Sequence, residues 1–461
     1  MSPSPSSRFR QQLIVAPAVL GLALVAACSN SSSSTGGGGG GSATLAGDCA
    51  EYQPYAGHSG TTVTMFASIL SPESDSLQQS WAKFSSCTGI KISYEGSNDF
   101  ESQLPVRVNG GQAPDLAIIP QPGLLAQMVK TGQVKKPDAT TVANENKWSP
   151  VWKTYGSVDG VFYAAPMSAN MKSLVWYSPS AFKKAGYQVP TTWADLMKLS
   201  DTIAKSGTNG SKPWCGGIGS GTATGWPATD WLEEVVLGGQ GGDVYDQWVS
   251  HKIKFSDPQI TGAMQTVANW MQNPAWVNGG FGDVKSIATT TFQDAGGPIL
   301  TGKCWMLQQA SFYEAQWPKG TKVGPDGDVY AFHLPAVNPA IPNPVEGGGE
   351  FVTAFSDRPE VRAVQDYLST AAWADSRIKV PNATGWVSAN QGVDKSLYTD
   401  PIDQLSAAEL TDPTATFRFD ASDMMPAAVG SGQEWKSLTA WFAEGQSIQQ
   451  TARDIDSAWP Q

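Results

Sequence analysis

Tryptophan occurs 18 times in this chain and histidine three times, at His58, His251 and His333. Imidazole chemistry is therefore thinly supplied, while aromatic surface is abundant. No HExxH and no GxSxG is present. Residues 297–303 (GPILTGK) satisfy GxxxxGK, but Cys304 stands where a magnesium-binding Ser or Thr is needed, so the match is chance. What the chain does offer is flat rings beside planar polar groups, the set that grips a polyol with apolar C–H faces and a rim of hydroxyls. Asn98, Asp99 and Glu101 sit together in one polar turn, where Asn98 or Asp99 would serve equally well as a helix N-cap. Residues 225–231 (GWPATDW) bring Trp226 and Asp230 into a stretch whose Gly and Pro suggest a loop, although tryptophans more often pack in cores. The acidic residues would also suit a glycosidase, yet no spacing identifies an acid and a base, because their separation is spatial. The expectation is no catalytic group, no cofactor and no metal set.

The ends and the charge set the compartment. Thirty basic against 41 acidic side chains give a net charge of −11, a poor match for nucleic acid or anionic headgroups. Arg8 and Arg10 precede an apolar run of 15 residues, 13–27, that ends in Val25-Ala26-Ala27-Cys28. This is too short for a spanning helix of about 20 residues and fits a signal peptide over 1–27. A cysteine directly after Val-Ala-Ala resembles the bacterial lipobox, which predicts lipidation of Cys28 and anchoring to the outer face of the cell membrane, with no other membrane contact. Residues 29–42 are almost wholly Ser and Gly, and 28–50 is expected to be a flexible tether. Cys49, Cys87, Cys215 and Cys304 remain, an even number that suggests two bridges in an oxidising compartment. Sequence neighbours pair most cheaply, which favours Cys49 with Cys87 and Cys215 with Cys304; buried free thiols are the alternative.

Any such site needs elements to hold it. Residues 61–69 read as a strand, 74–85 as a helix with Leu77, Trp81 and Phe84 on one face, 90–94 as a strand, 100–108 as a helix and 115–119 as a buried strand. Strands alternating with helices argue for a parallel α/β sheet, whose sites lie beyond the carboxyl ends of the strands, here at 69–73, 96–101 and 120–123. Residues 174–177 read as a strand and 193–204 as a helix capped by Thr191 or Thr192. Residues 214–231 read as a loop, 299–308 as including a strand, 335–344 as a connector, 358–374 as a helix and 447–459 as the last helix. About 410 ordered residues exceed one growing core, so two lobes are expected.

Several strings in order resemble the bacterial extracellular solute-binding proteins of the maltose-binding type, in particular the α-glucoside branch. They are residues 88–92 (TGIKI) with 112–116 (QAPDL), 173–177 (SLVWY), 190–193 (PTTW), 302–306 (GKCWM), 347–349 (GGG) and 420–426 (DASDMMP). Together they span nearly the whole mature chain. The resemblance implies a two-lobed α/β fold of the periplasmic-binding-protein type, hinged between a first lobe of 51–164 and 346–395 and a second of 165–345 and 396–461. It implies a monomeric receptor that takes a small carbohydrate, an α-glucoside or similar oligosaccharide, and delivers it to the permease subunits of an ABC importer. It places polar contacts at Asn98, Asp99, Glu101 and Gln121, and further contacts at Gln309, Phe312 and Trp435, with Glu346, Gly348 and Asp423 completing the set beside Trp226 and Asp230. A receptor for another solute, such as a polyamine, remains open.

Overall fold

A computed structural model describes residues 44–144, 147–207, 210–381 and 383–460. The expected signal peptide, Cys28 and most of the expected tether lie outside the described residues. The tether's expected end at residue 50 does overlap them, and there the chain is already a 3-10 helix, Gly47–Tyr55. Tyr52 is buried against Phe84 and Tyr367, which fixes this segment to the folded body.

Three strands with apolar, β-branched or aromatic residues, Thr62–Ala67, Lys91–Gly96 and Leu116–Ile119, pair in parallel with the first in the middle. Phe351–Ala354 adds to Leu116–Ile119 antiparallel, and Ala164–Pro166 adds to Phe351–Ala354, closing a five-stranded sheet. Side chains alternate across it: Leu116 and Ile118 join one core with Trp81, Phe84 and Trp373, whereas Ala117 and Ile119 join another with Phe100, Leu124 and Trp152. A sheet covered on both faces explains why Leu116–Ile119 is buried throughout.

A second sheet has the order Tyr330–His333, Leu174–Tyr177, Cys304–Gln308, Lys212–Trp214. It too is double-faced, with Val175 in a core around Trp231, Trp248 and Trp270, and Trp176 in one around Tyr313 and Trp317. Between the two lobes lies a three-stranded sheet, in which Pro344–Gly348 pairs parallel with Thr416–Phe419 and antiparallel with Asn170–Met171. Ala164–Pro166 stays in the five-stranded sheet, past the expected division after residue 164. Both expected disulfides are present, Cys49–Cys87 with Cα atoms 5.3 Å apart and Cys215–Cys304 at 5.7 Å. Among the described residues no helix is long and apolar enough to cross a membrane.

Three local expectations are corrected. The helix expected over 74–85 is two, Glu73–Ser80 and Ala82–Thr88, meeting at a non-helical Trp81; the apolar face survives because Leu77, Trp81 and Phe84 are all still buried. The stretch expected over 358–374 is likewise two helices, Pro359–Leu368 and Ala371–Ile378, the second capped by the Thr370 hydroxyl. Residues 226–231 are not a loop: the helix Trp226–Gln240 starts there, with Pro227 in its first turn, where a missing N–H costs nothing. Gly225 precedes it at φ 115°, and a Cβ there would stand 2.3 Å from the Trp435 carbonyl oxygen, so only glycine fits.

The Cys215–Cys304 bridge spans 89 residues and joins the strand Cys304–Gln308 to the segment after Lys212–Trp214. Replacing both cysteines by Ser is expected to lower the unfolding free energy by about 2–4 kcal/mol, measured by urea denaturation.

Candidate functional site

The loops that follow the three parallel strands face the second lobe across a cleft of about 980 Å³, counting its open mouth. Ser68 to Ser71 come from the first loop, Asn98 from the second with Glu101 from the first turn of the helix Phe100–Asn109 behind it, and Pro120 and Gln121 from the third. They stand beyond the carboxyl ends of their strands, where the α/β topology puts them. The opposite wall is aromatic. The ring centroid of Trp226, in the first turn of its helix, lies 5.0 Å from that of Phe292 and 6.0 Å from that of Phe312. Asn170, Lys172 and Gly348, from the three-stranded sheet and just after its short strand, line the base with Asp420, while Trp435 and Asp423 close one end. The glycine run 347–349 is required by close approach, since a Cβ on Gly349 would lie 2.3 Å from the Ser168 carbonyl oxygen.

Of the residues singled out from the sequence, Asn98, Glu101, Gln121, Trp226, Phe312, Gly348, Asp423 and Trp435 line this cleft. Four do not. Asp99 occupies the N-cap position of the helix Phe100–Asn109, but its side chain makes no capping bond. Gln309 is buried, and its Oε1 accepts the Ala310 N–H at 2.7 Å. Asp230 lies one helical turn beyond Trp226, so the helix carries it beneath the ring into the interior, where it is fully buried. Glu346 is also fully buried, below the cleft base in the strand Pro344–Gly348. Sequence reasoning missed Lys172, Asn170, Phe292, Glu73 and Glu350, all of which line the cleft. The one signal for Lys172 was a lone cation in an otherwise uncharged stretch; Phe292 carried none.

Lys172 organises the base. Its Nζ donates to Asp230 Oδ1 at 2.7 Å and to Asp420 Oδ2, and stands 5.6 Å from the Trp226 ring centroid. Burial opposes its charge, but the acidic groups around it, Asp230 and Asp420 first, outweigh it and hold the ammonium protonated well above its ordinary range. Asp420 in turn caps the short helix Ala421–Met424 by accepting the Asp423 N–H at 2.7 Å. Burial pushes Glu101 up to about 6, Glu73 to about 7 and Glu350 to about 8, the last two against the pull of Arg377. Several buried polar atoms of the lining accept or donate nothing among the described residues: Glu101 Oε2, Gln121 Oε1, Asn170 Oδ1 and Trp435 Nε1. Each costs roughly 1–3 kcal/mol while unpaired. Three acceptors and one donor beside a wall of rings can bind hydroxyl groups that both donate and accept.

Replacing Lys172 by Met leaves two buried carboxylates without their cation and is expected to cost about 3–5 kcal/mol of stability, read from chemical denaturation. Glu73 and Glu350 bind a proton more tightly folded than unfolded, so above the ordinary value of 4.5 the folded state carries the excess protons. Their contribution to stability is therefore lost as pH rises through about 7 and about 8. The melting temperature of Glu350→Gln is expected to fall less than that of the parent between pH 5 and pH 8.5.

Residues 70–375 match the bacterial extracellular solute-binding protein family. The chain is 34% identical over 411 residues, 87% of each chain, to the alpha-glucosides-binding periplasmic protein AglE of Rhizobium meliloti. It is 35% identical to the osmoprotective compounds-binding protein GgtB of Synechocystis, over 86% of this chain and 92% of that one. Maltose-bound MalE3 of T. maritima shares the fold with a TM-score of 0.66 at 17% identity, covering 86% of this chain and 98% of that one. The bacterial solute receptor AcbH gives 0.73 at 17% identity, over 86% and 98%. With two lobes, a cleft between their loops and this extent of similarity, the chain belongs to the bacterial extracellular solute-binding proteins.

Proposed function

We propose that this protein is the carbohydrate receptor of an ABC importer, capturing an α-glucoside or similar small oligosaccharide in the cleft and delivering it to permease subunits. The observation that carries the reading is the pairing, in one cleft, of the Trp226, Phe292 and Phe312 rings with four buried polar atoms that lack partners among the described residues. Sugar C–H faces stack on rings and hydroxyls satisfy stranded amides and carboxylates, so one ligand class answers both halves of the lining. The relative that binds alpha-glucosides, similar along 87% of this chain, supports the same class. The receptor is extracytoplasmic and held at the outer face of the membrane by lipid on Cys28 after removal of 1–27, and its lobes close on the ligand by bending at the three-stranded sheet.

Glu73, Glu101 and Glu350 in the cleft also suit a polyamine, which is the second reading. Salt separates the two: a polyamine loses affinity as ionic strength rises, and a neutral sugar is nearly indifferent. An α-glucoside is expected to raise the melting temperature of the purified protein, to be recovered uncleaved, and to bind at least tenfold more weakly to Trp226→Ala, about 1.4 kcal/mol. No shift with any sugar, together with a salt-sensitive shift for spermidine, would overturn the carbohydrate reading. A cleaved sugar would make the protein an enzyme. Replacing Cys28 by Ser is expected to move the protein from the membrane fraction to the medium, checked by fractionation and immunoblot.

A further inference from the structure

Away from the cleft, in the second lobe, Glu314, Asp400 and Asp403 bring a carboxylate oxygen each within 4.8 Å of one another. Glu314 lies on the 3-10 turn Ser311–Gln316, Asp400 is the N-cap of the helix Pro401–Glu409, and Asp403 lies in that helix's first turn. Glu314 is 5% exposed and Asp403 3%, while Asp400 is half-buried and opens the group to solvent. The close approach is built: at Gly385, φ 73°, a Cβ would meet the Ser311 carbonyl oxygen at 2.5 Å, so the absent side chain lets residues 384–386 lie on the Glu314 turn.

Ordinary capping explains only part of this cluster. Asp400 Oδ1 accepts the N–H groups of Ile402 and Asp403, and Asp403 Oδ1 accepts the Trp386 N–H at 2.8 Å. Glu314 belongs to neither helix terminus, and its Oε2 is buried with no partner among the described residues. Asp403 feels the guanidinium of Arg377, but that cation is shared with Glu73 and Glu350. Glu314 stands beside Asp400 and Asp403, and its side chain also meets Thr384.

We propose that Glu314, Asp400 and Asp403 form a divalent-cation site, with Ca2+ as the fitting ion. An all-oxygen donor set selects hard cations. Ca2+ takes its oxygen ligands at about 2.3–2.6 Å, so three oxygens this close together can share one ion. Water entering beside Asp400 completes the six to eight oxygens that Ca2+ takes. The ion would clamp the turn Ser311–Gln316, whose Phe312 lines the cleft, to the helix Pro401–Glu409.

The test is a calcium titration of the purified protein stripped with EDTA, followed by melting temperature and by isothermal calorimetry. One Ca2+ is expected to bind with half-saturation between about 10 µM and 1 mM and to raise the melting temperature by a few degrees. Glu314→Gln, which keeps the shape, is expected to weaken binding at least tenfold. Asp400→Asn, at the half-buried position, is expected to weaken it as well and serves if the first variant does not fold. Glu346→Gln, in the separate acidic group below the cleft, is expected to leave the calcium response unchanged. The proposal is overturned if calcium to 10 mM produces neither heat nor a melting shift. It is also overturned if both Glu314→Gln and Asp400→Asn respond as the parent does, or if Glu346→Gln alone abolishes the response. A parent indifferent to calcium whose Glu314→Gln variant melts higher at pH 7 would instead identify a shared proton. None of these readouts depends on sugar, so the site stands or falls apart from the carbohydrate reading.

Discussion

One buried ammonium group, that of Lys172, conditions the architecture around the cleft. Three chain segments far apart in sequence meet on it: the turn after Asn170–Met171, the helix Trp226–Gln240 through Asp230, and the helix Ala421–Met424 through its cap Asp420. A charge removed from water is tolerated only when it is paired and its protons are satisfied. Lys172 meets that condition only if all three segments are in place, so its burial couples the junction sheet, the aromatic wall and the end of the cleft. Asp420 has a second task, since it ends one hydrogen-bonding problem at a helix start while balancing the cation.

The same constraint explains why the cleft is polar at its base and aromatic at its side. The Trp226–Gln240 helix presents Trp226 to the opening and Asp230, one turn later on the same face, to the interior. A ring above and a carboxylate below are thus one geometric decision. Below them the acidic residues accumulate faster than cations: Glu233 is occupied by the Ala421 and Ser422 N–H groups and by the Tyr245 hydroxyl, whereas both oxygens of Glu346 have no partner among the described residues. Burial and its acidic neighbours hold Glu346 well above the usual carboxylate range, which spares the interior a further unpaired charge.

Much of this was legible in the chain because local chemistry and global fold agreed. The parallel strands, a threonine cap at 191 or 192 and both bridges follow from patterns that act within a few residues or from simple pairing economy. Polar side chains on loops after parallel strands, such as Asn98 and Gln121, were found by topology, since that rule places the cleft before any side chain is known. The failures have more than one cause, and the first is depth. Asp230 and Glu346 have the composition of ligand contacts but fall below the surface through helix phase and strand pairing, which a string does not display. Gly225 and Pro227 beside Trp226 suggest a loop, yet these residues also begin helices. Lys172 and Phe292 depend on segments more than 50 residues apart meeting, and no window of sequence contains that fact.

The segment Gly47–Tyr55 is fastened in two ways, by the bond from Cys49 to Cys87 and by Tyr52 and Tyr55 seated on Phe84 and Tyr367, with the Tyr55 hydroxyl donating to Asp366 at 3.0 Å. In mechanical terms this is a strain relief. A pull on the chain ahead of Gly47 arrives first at Cys49 and passes through a covalent link into the helix Ala82–Thr88 and the packed face behind it. The strand Thr62–Ala67, the centre of the three parallel strands, lies downstream of that fastening and is bypassed by the covalent link. Tension at the leading end is therefore spent on a cross-linked corner rather than on unzipping the sheet whose loops shape the cleft.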